Sequence, residues 1–156
     1  MSINCVPVKL LADQHLKAEY LKIYAMMFTY YRRSLIERKS PFDWTQQPKS
    51  YTLGGGHAMF FYDKMKYVER RWQDVRCECQ NRGFTTNIQS LEYSTKVNPT
   101  HMNDWTPDKS AMKVNVERIV QRIQKKPQWY KYYGKPIDSE FMSRYQHLKE
   151  SNVNMD

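Results

Sequence analysis

Apolar residues recur at helical spacing along the first part of the chain. One face of this repeat has members at i, i+4, i+7 and i+11, as a period of 3.6 residues requires: Leu16, Tyr20, Ile23 and Met27. No proline or glycine occurs between Leu10 and Arg38. The pattern therefore predicts one long amphipathic helix that begins near Leu10, carries Asp13 at its N-cap or in its first turn, and ends before Pro41.

A narrower stripe lies beside that apolar face on the same predicted helix. Its members fall within about 60° of arc at about 100° per residue: His15, Glu19, Lys22 and Met26. One stripe can therefore build a core while the other faces a cleft. We expect the residues of the second stripe to decide what the protein does.

Two further helices are predicted. The second runs from about residue 58 or 63 to residue 82, and Gly83 ends it. The third begins at Thr106-Pro107-Asp108, with threonine as the N-cap and proline in the first helical position, and ends at Pro127. Each has an apolar face at helical spacing, formed by Phe61, Met65, Val68, Trp72, Val75 and Cys79 in the second and by Met112, Val116, Ile119 and Ile123 in the third.

The third predicted helix also carries a basic stripe. Arg118, Arg122 and Lys125 lie at i, i+4 and i+7, apart from the apolar face. A stripe of this kind fits a solvated helix face and fits an anion-binding surface, and the sequence leaves both open.

A dense aromatic and basic segment follows this helix. Between Trp129 and Lys135 the chain has four aromatic rings and two lysines, Lys131 and Lys135, in seven residues. The rings could build part of the core. They could equally form a platform on which bases stack beside phosphate-binding lysines.

The remaining stretches lack a sustained period. Residues 1–9 are interpreted as an irregular or extended arm, and residues 42–52 and 85–105 as surface connections. Gly54-Gly55-Gly56 allows a close approach of the backbone or a flexible connector. After residue 136 the chain is a tail, in which helical spacing allows a short docked helix through three residues, Phe141, Tyr145 and Leu148.

The charge balance suggests a polyanionic partner. The chain of 156 residues has a formal net charge of +9, and each lysine or arginine that binds a phosphate releases counterions. Aromatic residues make up 14% of the chain and include 12 tyrosines, which suits nucleic acid because bases stack on rings. A basic protein with a tyrosine-rich core has the same composition. The length fits one domain.

Composition gives no indication of a cofactor, secretion or a membrane. Cys5, Cys77 and Cys79 make no disulfide framework and lack the spacing of zinc ligands, so no metal site is expected. No stretch approaches the roughly 18 apolar residues of a membrane span, and the N-terminus has no signal-peptide core. We therefore expect a cytoplasmic protein without a membrane partner or cofactor.

Several motifs occur in the order and register of one known family. Leu11-Ala12-Asp13-Gln14-His15-Leu16, followed by Ala18-Glu19-Tyr20, resembles the first-helix signature of phage endonuclease V, the pyrimidine-dimer DNA glycosylases. The resemblance covers about Ile3 to Ile137. Its further motifs are Leu53-Gly54 with Gly56-His57, Phe60-Phe61-Tyr62-Asp63-Lys64, Arg82-Gly83-Phe84, and Pro127 with Trp129-Tyr130-Lys131-Tyr132-Tyr133-Gly134-Lys135.

The resemblance implies a fold. It is a compact all-α domain of three main helices side by side, with the N-terminal arm threaded between them and long loops around them. In this chain the domain would span residues 1–137, and residues 138–156 would be a C-terminal extension. The three helices predicted above agree with this fold, and a monomer is expected.

The resemblance also implies a reaction on double-stranded DNA. The N-terminal α-amine attacks C1′ of a damaged nucleotide, releases the base and forms a Schiff base, and β-elimination then cuts the strand. The DNA is kinked, and the base opposite the lesion is flipped into a protein pocket. Because Ser2 is small, removal of Met1 is expected, which would give the reactive amine to Ser2.

The catalytic stripe departs from the family pattern. Lys22 occupies the position of the family's catalytic glutamate, and Leu21 and Ala25 replace two family arginines. The arm is one residue shorter, so Ser2 takes the place of another arginine. Glu19 matches a family acid, but not the catalytic one. The retained residues are Gln14, His15, Arg118 and a basic residue at Arg122.

A lysine at this position changes the expected chemistry. The ammonium of Lys22 would repel the sugar cation that develops, unless Glu19 supplies the missing carboxylate; Glu19 could also pair with Lys22. Lys22 could instead replace the N-terminal amine as the nucleophile. In that case the like charges of Arg118 and Arg122, together with His15 and partial desolvation in the cleft, would lower the pKa of Lys22. Lys22 could then form the Schiff base, with Glu19 as the proton shuttle.

Three functions follow as hypotheses. The first is a DNA-binding protein whose glycosylase chemistry is lost or altered, the second an active glycosylase and AP lyase, and the third a virion-associated or protein-interaction role through residues 138–156. The expected location is the cytoplasm, of the host cell if a phage encodes the protein. The candidate catalytic residues are Ser2, His15, Glu19 and Lys22. The candidate DNA contacts are Gln14, His15, Lys22, Gly56, His57, Lys64, Arg118, Arg122, Lys125, Trp129, Lys131 and Lys135.

Overall fold

The computed structural model describes residues 2–34, 42–88 and 97–150. Its helices are α1 (Asp13–Ser34), α2 (His57–Phe60), α3 (Met65–Asn81), α4 (Lys109–Lys125) and α5 (Ser139–Glu150). Strands β1 (Lys131–Tyr132) and β2 (Lys135–Pro136) form a small antiparallel sheet. The expected all-α class, with α1, α3 and α4 as the main helices, is confirmed. In the described part of the chain no helix is both long and apolar enough to cross a bilayer.

Helix α1 begins later than the apolar pattern predicted. Its first residue is Asp13, and the predicted start falls instead in a separate 3-10 turn, Val8–Leu10. Arg82 stabilises this break, because its guanidinium donates to the carbonyl oxygen of Leu11 at 2.7 Å. The prediction that Asp13 lies in the first turn is confirmed. The predicted end of the helix before Pro41 lies outside the described residues.

Of the two predicted starts of the second helix, residue 63 is close to the observed one, because α3 begins at Met65; residue 58 belongs to the separate short helix α2. Between α2 and α3 Lys64 leaves the helical conformation, with φ −122° and ψ 41°, and forms an isolated β-bridge with Met102. The prediction that Gly83 ends the helix is confirmed. Gly83 has φ +79°, and the N–H of Phe84 donates to the carbonyl oxygen of Cys79 at 2.9 Å, as a Schellman motif requires.

Asp108, and not Thr106, is the N-cap of α4. Asp108 is extended, and its carboxylate accepts a hydrogen bond from the N–H of Ala111 at 2.7 Å. Pro107 therefore precedes the cap and does not occupy the first helical position. A carboxylate at the cap satisfies a free N–H group and also faces the positive end of the helix dipole, which a threonine hydroxyl does not match.

The N-terminal arm is buried between the three main helices. Ile3 and Val6 are fully buried, and Asn4 and Cys5 are at most 5% exposed. The arm contacts α1 through Glu19, and it makes further hydrogen bonds to α3 and α4. The threaded arm expected from the family resemblance is therefore present.

The chain after α4 folds back onto the rest of the core. The aromatic segment at residues 129–135 forms a short hairpin, and α5 then packs on α4. Helix α5 buries Phe141 and Tyr145, and the Tyr145 hydroxyl donates to the carbonyl oxygen of Leu10 at 2.6 Å. The docked helix that the spacing allowed is confirmed. Residues 151–156 lie outside the described part.

Candidate nucleic-acid interface

A cavity of about 350 Å³ opens between the first turns of α1 and the last turns of α4. Ligand pockets in proteins are typically about 300–1,000 Å³, so the volume suits a small ligand or part of a larger one. The lining includes residues that the sequence placed on the candidate site: Ser2, Gln14, His15, Arg118, Arg122, Lys125 and Trp129. The arm, α1, α4 and the aromatic segment thus meet at one place.

His15 and Tyr130 form an aromatic wall of the cavity. Their rings stack with centroids 4.7 Å apart and planes at 30°. Both ring nitrogens of His15 are buried and have no hydrogen-bond partner among the described residues. Burial and the charge of Arg122 lower the pKa of His15 to about 4. His15 is therefore neutral near pH 7, and the aromatic wall of the cavity carries no charge there.

Cations line the other side of the cavity. Arg118, Arg122, Lys125 and Lys126 all contribute, and the ammonium of Lys126 lies 5.7 Å from the ring centroid of Trp129. Trp129 is 56% exposed, which is unusual for so large a ring. Among the described residues no acid lines the cavity. Without nearby carboxylates these charges give the cleft a positive potential.

The aromatic segment divides between core and surface. Tyr130 is buried, whereas the neighbouring Trp129 projects outward. Gln14 holds the backbone between them, because its amide nitrogen donates to the carbonyl oxygen of Trp129 at 2.7 Å and its oxygen accepts from the N–H of Lys131 at 2.9 Å. Gln14 therefore positions the rings of the cavity in addition to lining it.

Asp13 fixes the turn of the same hairpin. Its carboxylate accepts the N–H groups of Tyr133 at 3.1 Å and Gly134 at 2.9 Å. The positive φ values of these two residues, 50° and 76°, direct both N–H groups toward one acceptor. Arg82 donates to Asp13 at 2.9 Å and lies over the ring of Tyr133. Sequence reasoning gave Asp13 a role in the helix only and missed this contact.

Two asparagines connect the arm to the cavity. The amide oxygen of Asn115 accepts the N–H groups of Cys5 and Val6 at 2.7 and 3.1 Å. Its nitrogen donates to the side-chain oxygen of Asn4 at 2.7 Å, and Asn4 lines the cavity beside Ser2. Sequence reasoning missed both asparagines. A signal was present, because Asn115 lies at helical spacing within the apolar face of α4.

Glu19 does not pair with Lys22, so that alternative is excluded. Its carboxylate is fully buried and accepts hydrogen bonds from Arg71 at 2.7 and 3.0 Å and from Asn4 at 2.7 Å. Arg71 offers two parallel donors, which a lysine three residues away on the same helix cannot match. Lys22 is half-buried and is not among the residues that line the cavity.

His57 and Gly56 do not line the cavity either. His57 is buried, and Nε2 of its ring accepts a hydrogen bond from the N–H of Ile3 in the arm. Gly56 has φ +89°, and a Cβ there would come within 2.7 Å of Pro48. His57 therefore holds the arm, and Gly56 shapes the loop before α2.

Three lysines predicted to contact DNA also lie outside the cavity lining. The ammonium of Lys64 is 2.9 Å from the carboxylate of Asp63. That of Lys131 donates to the carbonyl oxygen of Gln128 at 3.0 Å. Lys135 is exposed on β2.

A comparison of the chain with models of known protein families finds none that matches it.

Proposed function

We propose that this protein binds double-stranded DNA across the cleft between α1 and α4. The observation that carries the proposal is the lining of the cavity, where four cations and the exposed ring of Trp129 stand beside the stacked rings of His15 and Tyr130. Phosphates bind to cations, and unstacked bases bind to aromatic rings. A ligand that is only a phosphate would not require the aromatic wall.

The resemblance to the endonuclease V family supports this proposal. Four residues that were identified as retained from the family site all line the cavity: Gln14, His15, Arg118 and the basic residue Arg122. Lys22 stands at the glutamate position, and the carboxylate of Glu19 is already bound by Arg71 and Asn4. We therefore propose that the standard glycosylase chemistry is lost or altered.

The position of Ser2 favours a second candidate function, that of a DNA glycosylase and AP lyase. Ser2 lines the cavity, and removal of Met1 would place the α-amine on it. In this proposal the amine nitrogen bonds to C1′ while the C1′–base bond breaks, and one amine proton leaves with the base. The C1′–O4′ bond then opens, O4′ takes the second proton, and the adduct becomes an imine. Loss of a proton from C2′ then breaks the C3′–O bond. An α-amine with a pKa of about 7.7–8.0 is about half neutral or more near pH 8, and the neutral form is the nucleophile.

The third hypothesis, a protein partner that binds residues 138–156, has less structural support than the two DNA-related proposals. Helix α5 directs Phe141 and Tyr145 into the core, so these two apolar residues already have an intramolecular role. Deleting the segment would uncover the surface of α4. A loss of partner binding after such a deletion would therefore not identify a contact surface.

Binding to a fluorescent duplex tests the first proposal. We expect binding at about 50 mM salt that weakens steeply by about 200 mM. An absence of binding at the lower salt concentration would contradict the proposal.

Borohydride trapping on abasic and dimer-containing duplexes tests the second. An adduct that disappears when the N-terminal amine is blocked supports the amine of Ser2. An adduct that disappears in Lys22→Ala but survives a blocked N-terminus assigns the nucleophile to Lys22. No adduct and no strand cleavage would exclude the lyase while leaving DNA binding untouched.

A further inference from the structure

Side chains, and not a neighbouring strand, satisfy the backbone of the arm in the described structure. The N–H of Ile3 donates to Nε2 of His57 at 2.8 Å, and its carbonyl oxygen accepts from the Tyr51 hydroxyl at 3.0 Å. The carbonyl oxygen of Asn4 accepts from the Tyr67 hydroxyl at 2.9 Å. A buried peptide group that loses its partner costs free energy. The place of the arm therefore depends on a few individual side chains.

The hydrogen bonds of His57 fix its protonation state. Nδ1 lies 2.7 Å from the carbonyl oxygen of Thr52, which can only accept, so Nδ1 carries a hydrogen. Nε2 faces the N–H of Ile3, which can only donate, so Nε2 carries none. A second proton would set two N–H groups against each other across 2.8 Å. The ring can hold the arm only while it is neutral.

We propose that His57 is a positioning residue of the candidate site: the neutral ring holds Ile3 so that Ser2 lines the cavity, and the protonated ring releases the arm. The peptide nitrogen of Ile3 is bonded to the carbonyl carbon of Ser2, so loss of this hydrogen bond acts on Ser2 first. The importance of the release for DNA rests on the proposed function. The release itself rests on the hydrogen bonds alone.

The surroundings of His57 oppose its protonation. Two aromatic side chains pack on its ring with centroids 5.4 and 5.5 Å away, Tyr51 and Phe61. Burial lowers the pKa of His57 to about 4; the Thr52 hydrogen bond acts against this, and the charges of Lys22, the amino terminus and Arg118 add to it. Once the arm is released, His57 would titrate near the ordinary histidine value of about 6.5. Between these two pKa values, each unit by which the pH falls therefore shifts the equilibrium between the held and the released arm about tenfold toward release.

The cysteines provide reporters at suitable places. Cys5 is in the arm and 4% exposed, whereas Cys79 is in α3 and 1% exposed. Cys77 is exposed. Labelling of Cys5 therefore measures release of the arm, and labelling of Cys79 measures unfolding of the whole domain. Cys77 corrects for the dependence of the thiol reaction on pH.

Thiol labelling of the full-length protein tests the proposal. The reagent is 4,4′-dithiodipyridine, which reacts with thiols in acid, and peptide fragmentation by mass spectrometry quantifies each cysteine. We expect the labelling of Cys5 relative to Cys77 to rise about tenfold per pH unit as the pH falls from about 6.5 to about 4. Cys79, which only unfolding of the whole domain exposes, should remain less labelled than Cys5 over the same range.

Two variants separate His57 from other titrating groups. In His57→Gln the side-chain oxygen can still accept from Ile3 but does not titrate, so Cys5 should stay protected at every pH. In the matched control His15→Gln, which removes a histidine that makes no bond to the arm, the rise at Cys5 should persist.

Three outcomes would overturn the proposal. They are an equal rise at Cys5 and Cys79, no rise at Cys5 down to about pH 4, and an unchanged rise in His57→Gln. If His57→Gln does not fold, the ratio of Cys5 labelling to Cys79 labelling in the unmodified chain decides whether the arm is released without unfolding of the domain. Binding to duplex DNA at neutral pH is measured separately, so its absence would remove the proposed function and leave the thiol result valid.

Discussion

Glu19 of α1 and Arg71 of α3 form a two-point ion pair beneath the arm, with N–O distances of 2.7 and 3.0 Å. Both side chains are almost completely removed from water. Asn4 donates to the same carboxylate at 2.7 Å, so one acid joins the arm to two helices. A buried charge is tolerated when an opposite charge and further hydrogen bonds accompany it, as they do for Glu19.

Removing one partner of this pair should be strongly destabilising. Arg71→Ala leaves the carboxylate of Glu19 buried without its cation, and we expect the free energy of unfolding to fall by about 3–5 kcal/mol. The matched control is Arg70→Ala, which breaks a pair with Asp104 whose side chains are 53% and 49% exposed and which should cost less than about 1 kcal/mol. Urea unfolding measures both variants. Equal losses would show that the buried pair has no special role.

The stability of the domain should fall in mild acid. Burial lowers the pKa of His15 and of His57 to about 4, so the unfolded chain binds protons at a higher pH than the folded chain. The free energy of unfolding is therefore undiminished above about pH 6.5. It decreases toward pH 4 by up to about 1.4 kcal/mol per pH unit for each histidine.

Denaturant midpoints across this range measure the effect. The double variant His15→Gln/His57→Gln serves as the reference, because carboxylates also titrate at the acid end. We expect the two curves to run parallel above about pH 6.5 and to diverge in slope below it. Parallel curves throughout would mean that neither histidine is held neutral by the fold.

The cap of α4 offers a direct comparison of two neighbouring residues. Asp108→Ala should lower the free energy of unfolding by about 1 kcal/mol, because the N–H of Ala111 loses its acceptor. Thr106→Ala should cost within about 0.5 kcal/mol, since Thr106 lies outside the helix. Thermal unfolding of the two variants measures the difference. The reverse order would restore Thr106 as the cap.

The helices could be predicted from the sequence because their apolar faces repeat over several turns. Residues without a repeat could not be placed in the same way. The sequence predicted Thr106 as the cap of α4, whereas the cap is Asp108, which is extended and accepts the N–H of Ala111. Lys22 was the obvious partner of Glu19 because it is near in sequence, whereas the actual partner, Arg71, comes from another helix.

The candidate site was predictable to a similar degree. The basic stripe of α4 and the residues around His15 were identified, because each forms a local pattern, and both line the cavity. The contact of Asn4 with Asn115 joins residues 111 positions apart in the sequence, and no local pattern connects them. Gln14 was predicted to contact DNA, but its two hydrogen bonds to the aromatic segment appear only in three dimensions.

Gln14→Ala should weaken DNA binding without changing its dependence on salt. The variant removes the two hydrogen bonds that hold the backbone beside Trp129, and removes no charge. A loss of about 1 kcal/mol corresponds to a several-fold weaker affinity. Anisotropy titrations at several salt concentrations give both quantities, with Gln121→Ala on the exposed surface of α4 as control. A changed salt slope would indicate that Gln14 acts through the cations.

The dependence of duplex affinity on salt tests the central claim most directly. The test variant replaces three cleft cations by glutamine: Arg118, Arg122 and Lys125. The control variant makes the same change in net charge at three exposed lysines outside the cavity lining, Lys66, Lys109 and Lys113.

If the cleft binds the phosphates, each lost contact removes about 0.9 from the slope of log K against log salt, so the test variant's slope should be smaller by about 2.7. The control variant should keep a slope close to that of the unmodified chain. Equal changes in the two variants, or no binding of the unmodified chain at low salt, would contradict a DNA-binding cleft between α1 and α4.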